Sequence, residues 1–204
     1  MKNNIKFYMV PASPWSFLSF SRIEEILNTH NIEVDTIPVD IFKLFEAHGI
    51  KMVSQRPIAI QKNRLTELKR WKNYLKINFN IKPKFFPVNP IKSCKLIIAC
   101  SILHSKEKMK TFKLAKSLSE AVWINDLNID NDEVLFKIAD EVIDSNDLRK
   151  IYIEEKVEKI LKNNTKTAIQ KNIFGVPTFV FNNQNFWGQD RIFFLEKEII
   201  NSNA

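Results

Sequence analysis

Strand-forming segments lie at the two ends of this chain, and the long stretch between them has a helical pattern. Runs of β-branched and aromatic residues predict four strands, at residues 5–10, 33–39, 177–181 and 184–187. An apolar helical segment separates the first two strands, and an Asn-Asn turn joins the last two. No strand pattern occurs between about residues 40 and 175. The order β-α-β, helices, β-β-α predicts an α/β fold with a large helical insertion.

The composition is that of a globular chain. Of its 204 residues, 45% are hydrophobic and 26% are charged, which excludes a disordered protein. No apolar run approaches the roughly 18 residues of a transmembrane helix. The N-terminal segment lacks the apolar stretch and the small-residue cleavage site of a signal peptide. We therefore expect a cytoplasmic protein with no membrane partner.

The net charge of +8 is unevenly distributed. Residues 51–76 carry eight Lys or Arg against one Glu, whereas residues 125–147 carry eight Asp or Glu against one Lys. Both stretches are compatible with solvated helix faces, and the basic stretch is also compatible with a small anionic ligand. No zinc-knuckle, RRM-like or helix-turn-helix pattern accompanies the basic stretch. We therefore expect no nucleic-acid partner.

Cysteine and histidine usage narrows the chemistry further. Cys94 and Cys100 are six residues apart, which is not the Cys-x-x-Cys spacing of a dithiol redox motif. Both are expected to be small buried residues. His30, His48 and His104 stand apart from one another, so no metal-ligand cluster is visible. Gly-rich phosphate loops and Gly-x-Ser-x-Gly elbows are also missing from the sequence.

The pair Ser13-Pro14 predicts the start of the first helix, over residues 15–28. Ser is a good N-cap, and Pro is preorganised for the first helical turn. The unpaired N–H groups and the dipole at a helix start favour an anion, including a thiolate. Ser13 could donate a hydrogen bond to a thiolate that arrives on a ligand. A plain N-cap without a ligand is the alternative interpretation.

The segment before the third strand has a second unusual feature. Val176-Pro177 is a candidate cis peptide at the head of a strand. Such a bond would turn the backbone of Val176 outward, where an extended peptide could pair with it as an added strand. A turn into an edge strand is the alternative interpretation. Gly175 and Gly188, two of the three glycines in the chain, flank this region.

Residues 10–18, Val-Pro-Ala-Ser-Pro-Trp-Ser-Phe-Leu, resemble the opening of the 2-hydroxychromene-2-carboxylate isomerases, which are related to kappa-class glutathione transferases. Residues 174–180 and 186–191 resemble the closing motif of that family, and three intermediate landmarks also fit: Arg70-Trp71, residues 86–89 and Asn164-Thr165. The resemblance spans nearly the whole chain. It implies a thioredoxin-like fold with an inserted helical domain, of the DsbA and kappa glutathione transferase type. The thioredoxin-like domain would comprise residues 1–45 and 172–204, and the helical domain residues 46–171.

The resemblance also implies a glutathione site. Ser13 would donate to the glutathione sulfur and favour its thiolate. Val176, with the proline that follows it, would present backbone to the cysteinyl unit. Asp190, with Gln189 beside it, would meet the γ-glutamyl ammonium. The implied glutathione-binding residues are therefore Val176, Pro177, Gln189 and Asp190, with Gln55 and Lys62 as candidates from the segment before Trp71.

The activity implied by the resemblance is a glutathione-dependent cis-trans isomerisation in the breakdown of aromatic compounds. The substrate would be 2-hydroxychromene-2-carboxylate or a similar unsaturated 2-oxo acid, and the protein would be a homodimer without a metal. A kappa-type glutathione transferase or peroxidase and a non-catalytic thioredoxin-like binding protein are the alternatives. A dithiol oxidoreductase is disfavoured, because Ser13 stands in place of the reactive thiol.

Overall fold

Four strands form one mixed sheet in the computed structural model, which describes residues 4–143 and 146–203. The strand order is β2-β1-β3-β4; β1 pairs parallel with β2 and antiparallel with β3, and β3 pairs antiparallel with β4. The strands are β1 (Asn4–Met9), β2 (Glu33–Pro38), β3 (Thr178–Phe181) and β4 (Gln184–Trp187). The four predicted strands are thus confirmed, and the described residues between β2 and β3 contain no further strand.

Ten helices accompany the sheet within the described residues. They are α1 (Pro14–Phe17), α2 (Phe20–His30), α3 (Ile41–Ala47), α4 (Ile58–Leu75), α5 (Ile91–Leu103), α6 (Lys108–Trp123), α7 (Asp132–Val142), α8 (Leu148–Tyr152), α9 (Glu155–Gln170) and α10 (Ile192–Asn203). Seven of these, α3 to α9, lie between β2 and β3, which agrees with the predicted helical insertion. The division into domains at residues 45/46 and 171/172 stays a prediction.

The first predicted helix is two helices in the structure. Instead of continuing over residues 15–28, the helix breaks at Leu18 and Ser19. The Ser19 N–H bonds to the Ser16 carbonyl at 3.1 Å, three residues back, and the Ser19 hydroxyl donates to the same carbonyl at 2.6 Å. A serine side chain that competes for a backbone carbonyl in this way bends or interrupts a helix.

A second break divides the last helical segment of the insertion. The apolar spacing from Ile153 to Ala168 predicts one long helix with Ile153 on its inner face. Ile153 is instead 79% exposed, because α8 ends at Tyr152 and α9 begins two residues beyond Ile153. Val157, Leu161 and Ala168, which follow at helical spacing, are buried as predicted.

The start of α7 differs by one residue from the sequence prediction. Asp130 with Glu133 reads as a capping box, but the N-cap is Asn131. Its side-chain oxygen accepts from the N–H groups of Glu133 and Val134 at 2.8 and 3.2 Å. The prediction of Asp130 as the cap is therefore wrong, although the helix itself is confirmed.

An aromatic cluster joins the sheet to the helices. Phe7 of β1 stacks on Phe179 of β3 at a ring-centroid distance of 4.9 Å, and it meets Phe20 of α2 edge-on at 5.3 Å. Phe112 of α6 packs against both Phe7 and Phe20. Since aromatic rings bury a large apolar area in defined geometries, this cluster holds α2 and the end of β1 in place. The segment between them is the start of α1.

Candidate active site

Ser13 lies four residues after the end of β1 and is the N-cap of α1. Its N–H donates to the Val10 carbonyl at 3.0 Å, and its backbone is extended, with φ −79° and ψ 122°. The Ser13 hydroxyl oxygen accepts from the N–H of Ser16 at 3.3 Å, and Pro14 occupies the first helical position. The predicted N-cap is thus confirmed. The side chain is half-buried at a helix start that faces the head of β3.

The Val176-Pro177 peptide lies against Ser13. This bond is cis, as the sequence suggested. The Ser13 hydroxyl lies 3.5 Å from the Val176 carbonyl oxygen, at the outer limit of a hydrogen bond. No hydrogen bond from the Val176 N–H occurs within residues 4–143 and 146–203. A hydroxyl with so weak a bond can turn toward a ligand, and a free N–H can pair with ligand backbone.

The turn after β4 forms the next wall. Gly188 donates its N–H to the Pro177 carbonyl at 2.9 Å, which ties this turn to the cis peptide. Arg22 of α2 donates to the backbone oxygen of Gln189 at 2.7 Å and to its side-chain oxygen at 3.2 Å. The Gln189 side chain is therefore buried against Arg22, and its neighbour Asp190 stays partly exposed. These two hydrogen bonds from Arg22 fix the position of the turn relative to α2.

Between these walls lies a cleft with a volume of about 280 Å³. Its lining residues are Trp15, Glu67, Trp71, Val176, Trp187, Gly188, Gln189, Asp190 and Arg191. Two carboxylates face it, and each is paired with an arginine of its own segment: Glu67 with Arg70 and Asp190 with Arg191. The cleft therefore combines aromatic walls, exposed backbone and carboxylates that could receive an ammonium group.

The structure brings some predicted residues together and leaves others apart. Val176, Gln189 and Asp190 all line the cleft next to Ser13. Gln55 and Lys62 do not line it, and both side chains are exposed. The side chain of Gln55 instead accepts from the N–H of Met52 in a local turn.

Sequence reasoning missed three residues of the cleft region. Glu67 of α4 lies one turn before Trp71, which the sequence had marked as a landmark, so helical spacing could have identified it. Trp187 lies in the closing motif, but its place in the wall of the cleft was not predicted. Arg22 had no sequence signal, because its contact with Gln189 spans 167 residues.

Gly175 makes room for one aromatic wall. A Cβ at this position would lie 2.6 Å from Nε1 of the Trp187 indole, closer than real contacts allow. The indole thus packs directly against the Gly175 backbone. Phe174 on the other side of the glycine contacts the same ring at a centroid distance of 4.6 Å. The absence of a side chain at Gly175 therefore sets the position of Trp187 in the cleft.

The two cysteines lie elsewhere and are buried, as predicted. Burial raises the pKa of the Cys94 thiol far above its ordinary range. Burial also raises the pKa of Cys100 to about 11, although the hydrogen bond from Thr111 opposes the shift. Reactive cysteines need a low pKa and access, so neither thiol suits exchange chemistry. The described part of the chain contains no group of three His, Cys, Asp or Glu residues placed to hold a metal ion.

A larger cavity of about 600 Å³ lies beside the edge strand β4 and helix α10. It shares Trp187 and Arg191 with the cleft but contains none of the predicted thiol-site residues. The smaller cleft is the better candidate, because it adjoins the Ser13 hydroxyl and the free N–H of Val176.

A mixed sheet interrupted by a helical insertion, with a cis-proline facing the start of the first helix, defines a thioredoxin-fold protein. At that helix start this chain carries Ser13 and Ser16 and no cysteine. The chain belongs to the family of DSBA-like thioredoxin domains, whose model matches residues 4–200. Within the described residues, no helix is long and apolar enough to cross a membrane.

Known proteins similar to this chain include both an isomerase and a disulfide reductase. The 2-hydroxychromene-2-carboxylate isomerase of Pseudomonas sp. (strain C18) is 22% identical over 197 residues, which is 96% of this chain and 89% of the relative. A solved 2-hydroxychromene-2-carboxylate isomerase superposes with a TM-score of 0.76 at 20% identity, covering 96% of this chain and 94% of the other. The cytosolic disulfide reductase DsbM of Pseudomonas aeruginosa, solved with GSH, superposes with a TM-score of 0.68 at 12% identity, covering 96% and 98%. At these identities the solved structures show a shared fold only.

Proposed function

We propose that this protein is a glutathione-dependent isomerase that acts on 2-hydroxychromene-2-carboxylate or a similar unsaturated 2-oxo acid. The observation that carries the proposal is the meeting of the Ser13 hydroxyl with the Val176 peptide, at the edge of a cleft that contains no cysteine. A thiol that reacts there must come from a ligand. The names of relatives that match along nearly the whole chain support the choice of an isomerase.

The walls of the cleft suit two of the three units of glutathione, the cysteinyl and the γ-glutamyl unit. The free N–H of Val176 would pair with the cysteinyl backbone, as in an added strand. Asp190, and Glu67 on the opposite wall, would attract the γ-glutamyl ammonium. This pairing would place the glutathione sulfur at the start of α1, beside Ser13.

Direct hydrogen bonds carry more of the thiolate stabilisation than the helix dipole does. α1 has only four residues, so its dipole is smaller than that of the continuous helix predicted from the sequence. The Ser13 hydroxyl, whose bond to the Val176 carbonyl is long, is free to donate to sulfur. A donor to the charged form lowers the pKa of a thiol.

The reaction then follows ordinary thiol chemistry in three steps. The thiolate adds to the conjugated double bond of the 2-oxo acid, and the electron pair moves toward the oxo group. The former double bond is now single and rotates. Expulsion of the thiolate restores the double bond with the other geometry, so glutathione is regenerated and no oxidant or reductant is consumed.

The Ser13→Ala variant tests this proposal. Without the hydroxyl donor, we expect the ultraviolet absorbance of bound thiolate to fall at neutral pH. The kcat for a chromene carboxylate should fall about 100-fold, the usual effect of losing one donor to a developing anion. Ser21→Ala is the matched control, since Ser21 lies exposed on α2 and should leave both quantities unchanged.

The same assay separates the isomerase from a kappa-type transferase. A chlorodinitrobenzene-type electrophile is offered beside the chromene carboxylate. Turnover of the electrophile alone would assign a transferase. Normal thiolate formation in Ser13→Ala would remove the role of Ser13, and a lack of glutathione binding in calorimetry would favour a non-catalytic binding protein.

A further inference from the structure

A guanidinium without a carboxylate partner lies near the first turns of α4. The Arg64 guanidinium carbon is 4.8 Å from the centroid of the Phe86 ring and 6.0 Å from that of Trp123. Its Nη2 atom is buried and has no hydrogen-bond partner. No carboxylate of the described ranges, 4–143 and 146–203, forms an ion pair with Arg64.

A second cation adds to the local positive charge. Burial lowers the pKa of Arg64 to about 10, and the nearby charge of Arg56 adds a smaller effect in the same direction. The Arg56 side chain is itself held in place, because its Nε donates to the Lys51 carbonyl at 2.9 Å and its guanidinium lies 5.5 Å from the Phe45 ring. Contacts with aromatic rings offset only part of the cost of a partly buried cation such as Arg64. A bound anion would offset the remainder.

A second unsatisfied donor belongs to Trp123, whose ring is a neighbour of both Arg64 and Phe86. Trp123 is completely buried, and its Nε1–H has no hydrogen-bond partner among the described residues. Its ring lies 5.0 Å from the Phe86 ring, the same ring that Arg64 covers. Buried donors in folded proteins are nearly always satisfied. Two of them belong to residues that contact one aromatic ring, so a bound acceptor here would satisfy donors that the described residues leave unpaired.

This place is connected to the cleft from two sides. Arg64 precedes Glu67 and Trp71 by three and seven residues on α4, so the three side chains share one helix face. Trp123 stacks on Phe17 of α1 at a centroid distance of 6.5 Å, and Phe17 lies one helical turn after Ser13.

We propose that Arg64 binds the carboxylate of the second substrate, a planar conjugated or aromatic acid, with Phe86 as the aromatic wall and Trp123 as an additional donor. This assignment rests on the proposed function, since it supplies the anion subsite for the acid that glutathione attacks. The planar fork of a guanidinium suits a carboxylate in a way that an ammonium does not. The glycyl carboxylate of glutathione has the same chemistry, so the test distinguishes the two.

Cinnamate and its neutral amide, cinnamamide, are suitable probes. Calorimetry would measure their dissociation constants with the wild-type chain, Arg64→Met, Arg64→Lys and the control Lys69→Met, which removes an exposed charge from the same helix. The wild type should prefer cinnamate about 10-fold or more, as expected for hydrogen bonds to a charged group. Arg64→Met should abolish that preference, Arg64→Lys should restore part of it, and Lys69→Met should retain it.

Two results would overturn the assignment. If the wild type binds cinnamate and cinnamamide equally, or if Arg64→Met changes thermal stability but keeps the preference, Arg64 is only a packing residue and its donors bind water. If Arg64→Met weakens the binding of glutathione and leaves that of cinnamate unchanged, the subsite belongs to glutathione. Glutathione is titrated in a separate experiment. If the wild type fails to bind glutathione, the proposed function is refuted, while the role of Arg64 is still judged from the cinnamate titrations.

Discussion

At the scale of single residues, Gly188 and Gly49 both have positive φ but have different surroundings. Gly188 has φ +101°, and a Cβ there would lie 2.5 Å from the Asp190 carboxylate oxygen. Gly49 has φ +65°, but a Cβ there would meet nothing within 4 Å. Both positions favour glycine for backbone reasons. Of these two, Gly188 also makes room for a side chain of the cleft, as Gly175 does for Trp187.

Gly188→Ala and its control Gly49→Ala separate backbone strain from the displacement of Asp190. Each alanine should lower the free energy of unfolding, by roughly 1 kcal/mol or more, because of its left-handed backbone. Gly188→Ala should also raise the dissociation constant of glutathione, since the new methyl group collides with the carboxylate. Urea unfolding and calorimetry measure the two effects. Equal glutathione affinity in both variants would contradict a role for Asp190 in binding.

The residues at the start of α1 limit the chemistry that this helix start can support. Dithiol folds use two cysteines three residues apart, whereas here Ser13 and Ser16 have that spacing. The only thiols among the described residues are buried in α5 with raised pKa values. The fold is therefore compatible with disulfide exchange, but the residues at the helix start are not.

At the scale of elements, α4 links the cleft to the proposed anion subsite. Its exposed side carries Lys62, Lys69 and Arg70, three of the eight basic residues of 51–76, which agrees with the solvated-face interpretation for that part of the stretch. Its other side presents Arg64, Glu67 and Trp71. Part of the basic stretch is thus solvent-exposed surface. One residue of the stretch, Arg64, is the candidate for binding the anionic ligand.

The cap of α7 gives a prediction at the same scale. Asn131→Ala removes the acceptor of two N–H groups at the first turn, so the free energy of unfolding should fall by about 1 kcal/mol. Asp130→Ala, one residue earlier, is the control. Urea unfolding compares the two variants. A larger loss for Asp130→Ala would mean that the capping box, and not Asn131, begins the helix in solution.

At the scale of the whole molecule, stability should depend on alkaline pH. Burial raises the pKa of Cys100 from 9.0 to about 11, and that of Cys94 further. The unfolded chain therefore releases these protons at lower pH than the folded chain does. Their contribution to stability is complete below pH 9 and is lost as pH rises through the folded-state values.

Urea unfolding at about pH 8 and about pH 10.5 tests this, with Cys94→Ala/Cys100→Ala as the comparison. The wild type should lose more stability between the two pH values than the double variant, by on the order of 1 kcal/mol. The comparison is needed because lysines titrate in the same range. Equal losses in the two proteins would show that the thiols are accessible in the folded state.

The cleft is a property of the whole molecule, because distant segments meet there. Ser13 and Val176 are 163 residues apart, and α4 supplies a wall from the middle of the chain. The resemblance to a known family predicts Ser13 on one side of this site and Val176, Gln189 and Asp190 on the other, and these residues lie together in the structure. Gln55 and Lys62 were candidates from a segment in which helical spacing alone does not indicate which side chains face the sheet.

The sequence by itself determined the four strands, the helical character of the stretch between β2 and β3, the N-cap at Ser13 and the burial of both cysteines. These features depend on hydrophobic periodicity and on hydrogen bonds within a few residues, which local sequence controls. Only the tertiary structure decided that Glu67 enters the cleft, that Arg22 holds Gln189, and that Arg64 lies beside Phe86 and Trp123. Such contacts depend on how whole elements pack against one another, and packing is settled by the combined burial of many side chains rather than by any one segment.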